Sequence, residues 1–169
     1  NLAGTGTAAT SSEYTPRTVP NAPTNVRAVA DNTTGIDVSW TAPAFNGGSA
    51  ITDYVVEYAT ENSDYVVFSD GPGTSTSTKV TGLTQGVEYT FRIAAKNIAG
   101  DGPYSTASTS ITPRTVPDAP TGVTATADNT GGIDVSWSAP TNNGGASITD
   151  YTLQSCISAT CTTVTRSAS

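Results

Sequence analysis

Gly35-Ile36-Asp37-Val38-Ser39-Trp40 returns unchanged, 97 positions later, as Gly132-Ile133-Asp134-Val135-Ser136-Trp137. In both copies Ile, Val and Trp alternate with Asp and Ser, the period-two pattern of a strand with one buried face. Working outward, the same offset relates Pro20-Asn21-Ala22-Pro23-Thr24 to Pro117-Asp118-Ala119-Pro120-Thr121, and Asp53-Tyr54 to Asp150-Tyr151. Asn1-Leu2-Ala3-Gly4-Thr5-Gly6 restates Asn97-Ile98-Ala99-Gly100-Asp101-Gly102. A fixed period with strands inside it indicates an array of one β-unit. The expected division is the end of a preceding repeat (its turn and last strand) over residues 1–16, a complete repeat over 17–115, and the N-terminal part of a following repeat over 116–169.

Within the complete repeat the sequence predicts seven strands. Val26, Ala28 and Ala30 mark a weak first strand over Thr24–Ala30, closed by the turn composition of Asp31-Asn32-Thr33-Thr34-Gly35. Ile36–Trp40 is the second strand, and Ala42-Pro43-Ala44-Phe45-Asn46-Gly47-Gly48 breaks it. From Ile51 the third places Tyr54, Val56 and Tyr58 on one face and Asp53, Val55 and Glu57 on the other. Tyr65–Ser69 and Ser75–Val80 follow. Tyr89, Phe91, Ile93 and Ala95 alternate with polar neighbours and Ala94 in the sixth, and Tyr104–Thr112 closes the unit. Frequent turn signals and the lack of helical periodicity predict an all-β, seven-stranded antiparallel sandwich.

Trp40 on the second strand, Tyr54-x-Val56-x-Tyr58 on the third, Leu83-Thr84-Gln85-Gly86-Val87-Glu88-Tyr89 before the sixth and Ala95-x-Asn97-x-x-Gly100 after it agree in order and spacing with one family. Together they resemble the fibronectin type III domain, an immunoglobulin-like sandwich, repeated as beads on a string. Leu83–Tyr89 resembles that family's tyrosine corner, in which the hydroxyl bonds back to main chain upstream. The stretch Ala42–Tyr54, matched by Ala139–Tyr151, is similar to modules of bacterial secreted and surface proteins. Some relatives carry Arg-Gly-Asp on the turn where this chain has Ala99-Gly100-Asp101. Without the arginine, integrin binding is not carried over. The expected core is Trp40, Tyr54, Tyr58, Leu83, Tyr89 and Phe91, with Trp137 and Tyr151 in the following repeat.

Composition narrows the function. The chain has 169 residues, a net charge of −7 and only seven Lys and Arg, so it offers nothing to neutralise phosphates and excludes nucleic acid as a partner. No apolar run approaches the roughly 20 residues that span a bilayer, so no membrane insertion is expected in this segment. There is no His, and Cys156 and Cys161 are the only cysteines. Neither a metal site nor a nucleophile–base pair can be assembled, and no cofactor is expected. Four residues between the cysteines suit a disulfide across a tight hairpin, with two free thiols as the other reading. A bridge would place the protein in an oxidising compartment. Asp37, Asp53 and Glu57 are read as outward, solvated acids rather than a glycosidase pair. Asp31-Asn32 and Asp128-Asn129 are read as turns rather than calcium loops. Phe45 is expected to pack on its own sandwich.

The linker is the most useful remaining feature. Thr112-Pro113-Arg114-Thr115-Val116-Pro117-Asp118-Ala119-Pro120 nearly repeats Thr15-Pro16-Arg17-Thr18-Val19-Pro20-Asn21-Ala22-Pro23. Its prolines, Pro113, Pro117 and Pro120, predict a short, semi-rigid join, with Arg114 pairing to an acid of the adjoining unit. The sequence therefore points to a non-catalytic structural or adhesive segment of a long extracellular or cell-surface repeat protein. Its partners would be neighbouring repeats and like chains in a filament. The alternative is a set of spacer modules in a secreted carbohydrate-active enzyme.

Overall fold

The computed structural model describes residues 5, 7–10, 14–33, 35–157 and 159–167. The turn expected over Asn1–Gly6 lies outside them except for Thr5. Seven strands make the first unit: β1 (Thr24–Ala30), β2 (Ile36–Thr41), β3 (Ile51–Ala59), β4 (Val66–Phe68), β5 (Ser77–Val80), β6 (Thr90–Asn97) and β7 (Gly100–Asp101). They form two antiparallel sheets, ordered β1-β2-β5 and β4-β3-β6-β7. The all-β sandwich expected from alternation is the architecture found.

Alternation explains which side chains meet. Ile36, Val38 and Trp40 of β2 are buried while Asp37 and Ser39 face water. They close against Val56 of β3 and Phe91, Ile93 and Ala95 of β6, with Val80 and Leu83 completing the cluster. Phe91, Ile93, Val56 and Ile36 are wholly inaccessible. Removing an aromatic side chain from such a site costs about 3–5 kcal/mol. Trp40 and Tyr54 meet edge-on with ring centroids 5.3 Å apart, an arrangement that suits the ring quadrupoles.

The closing segment differs from the expected strand over Tyr104–Thr112. Beyond β7 the main-chain bonds run from Gly102 N to Ala95 O, Ser105 N to Ile93 O, Ser108 N to Phe91 O and Ile111 N to Tyr89 O. Three residues on this side therefore match two on β6 at every step, so the segment cannot be extended like a regular strand. The β6 donors left over are taken by side chains. Ile93 N donates to Ser105 Oγ and Phe91 N to Ser108 Oγ, both at 3.1 Å. Ser105 and Ser108 are buried as a result.

A second unit begins with β8 (Thr121–Ala127) and β9 (Ile133–Ser138), which pair in the register of β1 with β2 shifted by 97. Both hairpins bulge at the same place, where Asn25 (φ 54) and Gly122 (φ 61) take left-handed backbone. Trp137 and Tyr151 reproduce the 5.3 Å aromatic pair of the first unit. β10 (Asp150–Ile157) and β11 (Thr160–Ser167) form a long hairpin beside them.

Candidate functional site

Chemistry requires groups brought together, and the structure brings together one charged cluster that the strand pattern alone conceals. Glu57 on β3 was expected in solvent, but it is only 8 % exposed. Register places it opposite Arg92 on β6. Arg92 Nε and Nη2 both reach Glu57 Oε2, at 2.8 and 2.7 Å, while Tyr104 Oη donates to Oε1 at 2.7 Å. The guanidinium lies between the Tyr65 and Tyr104 rings, 3.9 and 4.4 Å from their centroids. Burial and the bond to Glu57 push the Tyr104 hydroxyl up to about 12. Both carboxylate oxygens are bonded within the cluster, which acts as a clasp tying β3, β6 and the closing segment. The other two acids stay apart from it. Asp53 Oδ1 accepts from Tyr54 N and Gly73 N, and Asp37 is exposed with Lys79 3.7 Å away.

The Asp31 turn is likewise internally satisfied. Oδ1 accepts from Thr33 N at 2.7 Å and Gly35 N at 3.0 Å, and Oδ2 from Thr33 Oγ1 and Lys79 Nζ, both at 2.6 Å. The Lys79 bond, then those from Thr33, hold this carboxyl well below the usual range and raise the Lys79 ammonium in turn. Asp128 repeats the turn through Thr130 N and Gly132 N, which also lower it. A Cβ at Gly35 would sit 2.8 Å from Asp31 Oδ2, so a side chain there would push the carboxylate out of this bonded position. Among the described residues no group of three or more His, Cys, Asp or Glu is placed to hold a metal ion.

The remaining sequence-selected residues fall in three places. Trp40, Tyr54, Leu83, Tyr89 and Phe91 are buried, and Tyr58 packs against them partly buried. Tyr89 Oη accepts the Thr84 N–H at 3.1 Å, the corner bond that the resemblance implied. Trp137 and Tyr151 are only half-buried, and they line an open concavity with Pro117, Pro120 and Leu153. Cys156 and Cys161 stand directly opposite on β10 and β11 and are bonded as a disulfide. Phe45 departs from expectation: it is half exposed and contributes its carbonyl, which accepts the Asn21 N–H.

The linker is held by its main chain. Thr18 N donates to Gly47 O and Asn21 N to Phe45 O; 97 residues on, Thr115 N donates to Gly144 O and Asp118 N to Asn142 O. Asn97 Nδ2 clamps the first of these segments by donating to Thr18 O at 2.8 Å and Asn46 O at 2.7 Å. Pro113 is buried, whereas Pro117 and Pro120 are exposed. The ion pair expected of Arg114 is not formed: among the described residues neither Arg17 nor Arg114 pairs with an acid. Arg114 is exposed, and main-chain bonds rather than charge fix the segment.

A sandwich of three and four antiparallel strands with a corner tyrosine is an immunoglobulin-like module. The match of residues 21–111 to the family model for the fibronectin type III domain makes it specific, and the chain belongs to that family. It is 34% identical over 143 residues to chitinase A1 of Niallia circulans, covering 79% of this chain and 19% of that protein. It is 35% identical over 141 residues to fibronectin type III domain-containing protein 1 of Margaritifera margaritifera, covering 81% and 18%. The solved structure of titin kinase and its flanking domains aligns with a TM-score of 0.52 and 29% identity, covering 57% of this chain and 17% of that one. The chain thus spans less than a fifth of the length of these two curated relatives. The fibronectin type III domain is itself a non-catalytic module.

Proposed function

We propose that this chain is a non-catalytic structural and adhesive segment of a long extracellular or cell-surface protein, built as a tandem array of fibronectin type III repeats. Repeat boundaries fall near residues 17 and 116, and each repeat's partners are its neighbours and like chains in a filament. The observation that carries the reading is the pair of main-chain bonds from each linker to the Gly-Gly turn that follows it, made twice with the same 97-residue offset. A join held that way transmits orientation, so length grows with every repeat. Small-angle scattering of polypeptides with one, two, three and four complete repeats tests it. The maximum dimension is expected to rise in proportion to repeat number; growth near the square root of that number belongs to a flexible chain and overturns the reading.

A second reading rests on the similarity to chitinase A1. Here the same modules space the domains of a secreted carbohydrate-active enzyme. Peptide mapping of the reduced, denatured native polypeptide separates the two: a catalytic domain on the same chain assigns it to the second.

A further inference from the structure

We propose that successive repeats dock end to end through a seat that only glycine fits, so that the surface at each pole of a repeat is built to receive a second copy of the same repeat. The inference rests on the array reading and adds to it the contact that fixes the angle between neighbours.

One pole of the first unit is made by the turn between β1 and β2 and by the corner before β6. Thr33 of that turn forms an antiparallel bridge with Thr115 of the linker. Gly86 of the corner, at φ +76, donates its N–H to Pro113 O at 3.4 Å. The Gly144-Gly145 turn of the second unit closes on the same spot. A Cβ on Gly145 would lie 2.9 Å from Gly86 N, 3.0 Å from Pro113 O and 3.5 Å from the Cβ of Gln85. Two of those neighbours are backbone atoms and cannot swing away, so any side chain at 145 must part the units. On the other side a Cβ at Gly86 would come within 3.8 Å of the Gly145 Cα.

The opposite pole of the first unit displays the receiving half independently. Gly48, the counterpart of Gly145, has φ +77 against +79, and a Cβ there would meet Pro16 O at 3.3 Å, as Gly145 meets Pro113 O. One repeat therefore carries both halves, the Gly47-Gly48 turn at its leading end and Gln85-Gly86 at its trailing end. Such a head-to-tail contact between unlike surfaces can be repeated from each unit to the next, extending the array unless its rotation closes a ring.

Backbone conformation alone does not account for Gly145, and Gly82 supplies the control. Its φ is +76 and a Cβ there meets nothing within 4 Å. Asparagine tolerates left-handed backbone better than other side chains, so Gly145→Asn adds bulk at the seat with little conformational penalty, and Gly82→Asn adds it in open space. Thr115→Pro is a second variant that deletes the N–H bonded to Gly144 O and sets a ring carbon against that oxygen, leaving the glycines themselves unchanged.

The test uses the full chain with nitroxide labels at exposed Thr106 and Thr149, attached through encoded ketone side chains so that the native disulfide is untouched. Electron–electron double resonance then reads the distance distribution between units. A single narrow distance is expected in the parent and in Gly82→Asn, with at least a twofold broader distribution in Gly145→Asn and Thr115→Pro. A broad distribution in the parent, or narrow ones in both seat variants, overturns the proposal. Because the labels report this joint alone, the outcome stands apart from whether the native polypeptide proves to be a structural array or an enzyme.

Discussion

The hydroxyl of Tyr89 accepts one main-chain N–H, from Thr84, at the corner where the chain passes between sheets. Tyr89→Phe keeps the buried ring and deletes that acceptor. We expect a loss of about 1–2 kcal/mol in urea unfolding with an unchanged m-value. The Asp31–Lys79 pair gives a pH prediction whose sign follows from both shifts. The depressed Asp31 stabilises the fold above its unfolded value near 4, and that contribution fades as acid is added towards the lower folded value. The raised Lys79 acts oppositely, its contribution being complete below about 10.4 and fading at higher pH. The pair is thus fully in place between about pH 4 and 10. Asp31→Asn is expected to lower the midpoint of thermal unfolding at pH 7 and to flatten its decline below pH 4. A variant with the parent's acid profile would refute the assignment. At the alkaline end, absorbance titration should show a tyrosine ionising at about 12 that disappears in Tyr104→Phe.

At the scale of elements, legibility tracks alternation. β2 and β6 were readable because each apolar side chain is followed by a polar one or a small alanine, and both strands lie where predicted. The segment after β7 was misread as a strand because its serines look like solvent-facing residues. They are in fact the acceptors for Phe91 N and Ile93 N. No period-two pattern encodes a three-for-two match. Ser105→Ala and Ser108→Ala each leave a buried β6 donor without a partner, and about 1–3 kcal/mol should be lost per substitution. Faster hydrogen exchange should be confined to the amides of residues 91 and 93. The Glu57 clasp was hidden for a related reason. Glu57 and Arg92 stand 35 residues apart in sequence, and only the β3–β6 register shows that they converge. The β10–β11 disulfide closes a short loop, worth about 2 kcal/mol by chain entropy. Reduction is expected to lower amide protection in that hairpin and leave β1–β7 unaffected.

Over the whole molecule the two tryptophans report the contrast between units. Trp40 is 7 % exposed beneath its partner sheet, whereas its counterpart Trp137 lines an open concavity. Acrylamide quenching of the 169-residue chain should therefore resolve two populations, and Trp40→Phe should remove the protected one. A single, uniformly protected population would mean that the second face is covered in solution. The fold class and the 97-residue period were plain from the sequence. The poles were not, because a glycine looks the same whether it serves a turn or makes room for a neighbour.

The unequal spacing between β6 and the segment that follows it has one more consequence. Neighbouring domains of nearly the same sequence on one polypeptide are at high local concentration, where exchange of strands and growth of amyloid-like stacks are the characteristic failures. A foreign strand advances two residues at a time and cannot stay in step with a border that advances three. That border is consequently a poor template for a strand from a neighbouring domain.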